Sequence, residues 1–87
     1  MTNPQHIAFL ILLPPGSGNS VSTQAGGDLT LTLATVDSLE SAERLVSDMA
    51  GQGIDRVELS ASFGDHGLAE IRAMVSNPGM VGLVRFE

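Results

Sequence analysis

The sequence predicts a single small α/β domain spanning residues 1–87, and three observations carry that expectation. From Asp28 to Glu87 the apolar pattern switches between strand and helix periods in the order β-α-β-α-β. Ahead of it, Ile7-Ala8-Phe9-Leu10-Ile11-Leu12-Leu13 is apolar at every position, the mark of a strand covered on both faces. The length of 87 residues leaves room for one domain and no more.

The elements follow in order. The first strand runs from His6 to Leu13 and ends at Pro14-Pro15, because proline cannot donate to a ladder. The segment 14–28, PPGSGNSVSTQAGGD, reads as a Gly/Ser-rich loop, either a linker or a ligand loop. In the second strand, Leu29 to Val36, Leu29, Leu31 and Leu33 alternate with Thr30, Thr32 and Ala34. Asp37-Ser38-Leu39-Glu40 reads as a capping box with Asp37 as the cap. It opens a helix to about Ala50 whose apolar stripe is Leu39, Ala42, Leu45, Val46 and Met49, stopped by Gly51 or Gly53. A third strand spans Arg56 to Phe63, with Val57, Leu59, Ala61 and Phe63 on one face and Glu58, Ser60 and Ser62 on the other. Gly64-Asp65-His66-Gly67 then opens a second helix, with Asp65 as its cap and Asn77-Pro78-Gly79 as its stop. Met80 to Phe86 is the last strand.

Strands joined by helices imply parallel pairing and right-handed crossovers. The expected architecture is a four-stranded, mainly parallel sheet, order 2-1-3-4 in preference to 1-2-3-4, with both helices on one face. The leucine row of the second strand and the Val-Leu-Ala-Phe row of the third are expected to meet the helices. Two helices cannot cover such a sheet on both sides. The chain is therefore expected to be a homo-oligomer, with a dimer as the first expectation, that buries the bare face or an edge.

Composition excludes several functions. The absence of cysteine removes disulfides, thiol nucleophiles and Cys-based zinc sites. His6 and His66 show no metal-ligand spacing, and no cofactor is implied. Ten acidic residues against four arginines, with no lysine, give a formal net charge of −6, which repels nucleic acid and anionic membrane surfaces. The seven-residue apolar run falls far short of the ~20 residues that span a bilayer, and Met1-Thr2-Asn3-Pro4-Gln5 lacks the positive flank of a signal peptide. A cytoplasmic protein is expected.

A ligand is expected beyond the carboxyl ends of strands one and three, where the strand order reverses. Gly16, Ser17 and Gly18 would approach it from one side, and Ser62, Gly64, His66 and Gly67 from the other, with Arg85 nearby. Glycines let the backbone close on a ligand, and a helix start favours an anion. No named motif fits: the P-loop lysine, the GxSxG elbow and the last glycine of GxGxxG are all missing. The leading expectation is an oligomeric module that binds a small molecule or anion. The alternatives are a structural or protein-interaction subunit acting through the bare sheet face, and a small lyase or isomerase using His66 or Asp65 with Glu58 or Arg85 assisting.

Val57-Glu58-Leu59, Phe63-Gly64, Gly67, Ile71 and the ending Val81-Gly82-Leu83-Val84-Arg85-Phe86, together with the first strand running into Pro14-Pro15-Gly16, resemble a family of small bacterial proteins known only as a domain of unknown function, the 6506 type. Ser60-Ala61-Ser62 departs from the Cys or Gly-rich stretch usual in that family. The resemblance implies an α/β fold and brings no activity.

Overall fold

The computed structural model describes residues 4–84. Five strands, β1 (Gln5–Leu12), β2 (Ser20–Gly26), β3 (Leu29–Val36), β4 (Arg56–Leu59) and β5 (Val81–Leu83), form one sheet in the order β2-β3-β1-β4-β5. Two helices, α1 (Leu39–Gly51) and α2 (Gly64–Ala73), accompany them. The four anticipated strands stand in the order 2-1-3-4, with β1 parallel to both β3 and β4, and β4 parallel to β5. The strand count is corrected from four to five. The expected loop 14–28 contains β2, which pairs antiparallel with β3 through a two-residue turn, Gly27-Asp28. Gly27 has φ +59°, the conformation that such a tight hairpin asks of its first central residue.

β1 sits centrally because its register divides its apolar side chains between two faces. Ala8 and Leu10 are fully buried against the helix layer with Ala34, Val36, Val46, Val57, Leu59, Ile71 and Val81. Ile7, Phe9 and Ile11 point to the opposite face, opposite Leu31, Leu33 and Thr35 of β3. The facing of β3 is therefore the reverse of the expectation. Thr32 is 3% exposed beneath the helices, whereas Leu29, Leu31 and Leu33 are 45–47% exposed on the bare face. The small row Thr32-Ala34-Val36 suits a helix approaching the sheet closely, and the leucines face away from the helices.

The ends of α1 also sharpen the sequence reading. Its cap is Ser38, whose side chain accepts from the Ser41 N–H at 3.1 Å. Asp37 instead accepts from the Gly18 N–H at 2.9 Å, and Glu40 pairs with Arg44 one turn on. At the other end Ile54 N–H donates to Met49 O and Gly53 N–H to Ala50 O, both at 3.2 Å. That is a Schellman closure with Gly53 at φ +84° and buried Ile54 beside Met49. β4 stops at Leu59 rather than Phe63 because Phe63 N–H turns back to Ser60 O, making a 3-10 turn over Ala61–Phe63. Asp65 consequently lies inside the first turn of α2, which starts at Gly64. α2 ends at Ala73, ahead of the expected stop, and Pro78–Met80 forms a second 3-10 turn into β5.

Opposite effects are expected at two nearby glycines. Gly53→Ala places a Cβ in the left-handed region and is expected to cost ~1–2 kcal/mol. Gly51→Ala, in open helical space with ordinary φ, is expected to gain up to ~1 kcal/mol. Urea denaturation of the two variants checks the signs.

Candidate functional site

The described residues of the expected ligand site fall in two segments, one beyond the carboxyl end of β1 and one beyond that of β4. The Pro14–Gly18 turn closes on itself, with Ser17 N–H and Oγ both donating to Pro14 O, and then reaches α1 through Gly18 and Asp37. The Asn19 side chain accepts from Asp37 N–H at 3.0 Å, fixing that attachment. The other half, Ser62 to Gly67, is anchored toward β1: Ser60 Oγ lies 2.5 Å from Ser62 Oγ and accepts from Leu12 N–H at 3.4 Å. Gly67 is buried against the Phe63 ring, with 3.1 Å between the place of a Cβ and the Phe63 Cβ. Gly67 thus serves packing. Gly64 has φ +67° and makes the bend into α2. The His66 side chain is 83% exposed, 4.0 Å from Glu70, so a base there would work in bulk water. Asp65 also lies on the exposed start of α2.

Glu58 is on the other side of the sheet. Its neighbours Val57 and Leu59 are buried under the helices, so strand alternation puts Glu58 on the bare face, away from Asp65 and His66. There its Oε1 accepts from Arg56 Nη2 at 2.6 Å and Nε at 3.0 Å. Its Oε2 lies 2.9 Å from where a Gly82 Cβ would stand, so the glycine of β5 makes room for this pair. Arg85 lies outside the described residues. Among the described residues, Glu58 therefore stands apart from Asp65 and His66, which share the start of α2.

A different group of residues does converge. α1 packs over β1 and β3 and leaves the helix-side face of β2 uncovered, so a groove runs along the helix between α1 and β2. Two cavities lie in it, of about 180 and 250 Å³, sharing Val21, Leu45 and Asp48. The larger is lined by His6, Thr23, Thr32, Met49 and Gln52 as well. The smaller continues toward Asn19, Ser41 and Arg44 at the helix start.

The floor of the larger cavity is a chain of hydrogen bonds. His6 Nε2 lies 2.7 Å from Thr32 Oγ1, and Thr32 Oγ1 lies 3.1 Å from Thr23 Oγ1. The His6 backbone is fixed by both of its groups, donating to Asp55 Oδ2 at 2.7 Å and accepting from Asp55 N–H at 2.9 Å. Thr32 has one hydroxyl hydrogen and stands between two partners, so the histidine tautomer orients both hydroxyls. Thr23 is the outer member and presents the end of that chain to the groove.

None of these groove residues was part of the expected site, apart from His6 weighed as a metal ligand. The signal lay in the Thr30-Thr32 row, which gains a partner in Thr23 only once the hairpin is recognised. Among the described residues no three His, Asp or Glu side chains cluster as a metal site, and no helix is long and apolar enough to cross a membrane.

The bare face is the second feature of note. Leu29, Leu31 and Leu33 stand beside Ile7, Phe9 and Ile11, bordered by Ser22 and Gln24 of β2 and by the Arg56–Glu58 pair of β4.

A family model described as a family of unknown function (DUF6506) matches residues 5–87, and the chain belongs to that family. No curated protein and no solved structure matches the chain.

Thr32→Val is expected to remove the centre of the hydroxyl chain and leave the His6 ring without its partner, at a cost of ~1–3 kcal/mol. The His6 ring resonances are expected to move in the NMR spectrum of the folded variant. Unchanged stability together with an unchanged His6 spectrum would show that the chain holds nothing.

Proposed function

We propose, for a member of a family with no assigned activity, that the protein is a self-associating α/β module that binds a small polar molecule in the groove between α1 and β2. The observation that carries this reading is the His6–Thr32–Thr23 chain ending in a cavity of about 250 Å³. The lining sets the polar groups of His6, Thr23, Thr32, Asp48 and Gln52 beside apolar Val21, Leu45 and Met49, which suits a ligand that is itself polar with an apolar face. The cavity is smaller than drug-sized pockets, which suits a compact ligand such as a sugar or a nucleobase. Asp48 at the groove and a formal net charge of −6 favour a neutral ligand over an anion. The groove replaces the carboxyl ends of β1 and β4 as the favoured location. There Ser60 already bridges the two strands through Leu10 O and Leu12 N–H.

Self-association is supported by the bare sheet face. A domain needs a second layer over an apolar sheet face. Covering the residual exposure of Leu29, Leu31 and Leu33 is worth roughly 1 kcal/mol each. A second copy suits this face because its charges, Arg56 and Glu58, are already paired with each other. Two such faces meet without opposing unpaired like charges, although each chain is strongly acidic overall.

Two measurements test the reading. Thermal-shift and NMR titration with neutral sugars, nucleobases and nucleosides is expected to stabilise the protein and perturb His6, Thr23 and Thr32, with the response lost in Thr32→Val. Perturbation confined to Gly16–Gly18 and Ser62–Gly67 would return the site to the strand ends. Leu31→Glu is expected to halve the assembly mass in sedimentation while the fold is kept, and an unchanged mass would leave the bare face without its proposed cover.

A further inference from the structure

The outer edge of the sheet at β2 is open and unprotected. Edge strands normally carry charge, proline or a bulge that stops them from pairing with another chain. β2, Ser20-Val21-Ser22-Thr23-Gln24-Ala25-Gly26, has none of these in its seven residues, and all seven are exposed. It pairs with β3 residue for residue from Ser20↔Thr35 to Gly26↔Leu29, without a bulge. The opposite edge is handled differently. β5 is three residues long, and Arg72 Nε from α2 donates to Val81 O at 3.0 Å. A chain with 14 charged residues, ten acidic and four basic, places none on its longest free edge.

We propose that two copies pair antiparallel along β2, about a two-fold axis at Thr23, so that each copy completes the ligand groove of the other. The strand is self-complementary about that residue. On the helix side Val21 meets Ala25 of the second copy, and Thr23 meets its own equivalent. On the other side Ser22 meets Gln24. Apolar pairs with apolar, and hydroxyl with hydroxyl, the combinations that favour cross-strand neighbours. The sheet then runs to ten strands, two sets of five, within the range of open sheets.

The pairing also acts on the groove, and this part rests on the function proposed above. The groove is open on its β2 side, where Val21 is 57% exposed. A second β2 extends the floor beyond Val21 and Thr23. It also brings the two His6–Thr32–Thr23 chains end to end, giving one polar line across the axis with a groove on either side. This contact uses the sheet edge, so it is separate from any cover on the Leu29–Leu33 face. Both together give an assembly with two kinds of two-fold axis.

Charge and cross-linking test the pairing. In Val21→Glu/Ala25→Glu, carboxylates oppose each other across the axis, and the assembly mass is expected to halve in sedimentation. Mixing with Val21→Lys/Ala25→Lys is expected to restore it as a heteromeric species, which an unfolded variant would not do. Thr23→Cys, in a chain with no other cysteine, is expected to oxidise rapidly to a disulfide dimer because residues facing across an antiparallel pair lie within disulfide reach. Ser47→Cys on the exposed face of α1 is the control. A wild-type monomer at high micromolar concentration, a wild-type mass for the Glu double variant, or Thr23→Cys cross-linking no faster than Ser47→Cys would overturn the proposal. Loss of association in Leu31→Glu alone would mark failure of this edge and not of the face. Loss in the Glu double variant alone would mark the reverse.

Discussion

The fold depends on the parallel pairing of β1 between β3 and β4. That register places Ala8 and Leu10 under the helices and Ile7, Phe9 and Ile11 on the other side. β1 is apolar on both faces, and the helices of the domain cover one of them. The close helix layer and the leucine-rich bare face are both consequences of this one strand. The helix layer is itself narrow, since α1 spans the crossover from β3 to β4 and leaves β2 outside its shelter. The groove is the space between what the crossover covers and what the hairpin adds.

Much of this was legible in the residues. The unbroken apolar run Ile7–Leu13 requires a central position, and that requirement alone selects the order 2-1-3-4. The stripe Ala42, Val46 and Met49 and the stop at Gly53 follow from helical spacing and the left-handed conformation. What stayed hidden has physical reasons. β2 has no apolar row, because neither of its faces enters the core, so composition made it look like a loop. Its one signal was Gly27-Asp28, a two-residue turn with glycine first, set against a strongly alternating strand. The facing of β3 was misread because the larger side chains were assigned to the helices. A close helix selects the smaller row instead.

The site was less legible than the fold for a related reason. Glycines and a helix start suggest a ligand loop by their conformational freedom, but here Gly64 and Gly67 serve a bend and the Phe63 contact. The groove residues come from β1, β2, β3 and α1, and only the hairpin brings Thr23 to Thr32. Single residues such as His6 and Thr32 carry no pattern in one dimension. Their meaning comes from register, and register required a strand that its composition concealed.

The tight Gly27-Asp28 turn also bears on the order in which the chain assembles. β2 and β3 are neighbours in sequence and can zip in about 1–10 μs, the time of an isolated hairpin. β1 has no such neighbour: the hairpin separates it from β3, and the hairpin and α1 together separate it from β4. Its contacts are the non-local ones whose loop-closure entropy must be met before any burial rewards it. The central strand is thus held by partners that are distant in sequence on both of its sides. Contact order therefore places the larger loop-closure cost of the sheet on the pairings of β1, not on the hairpin.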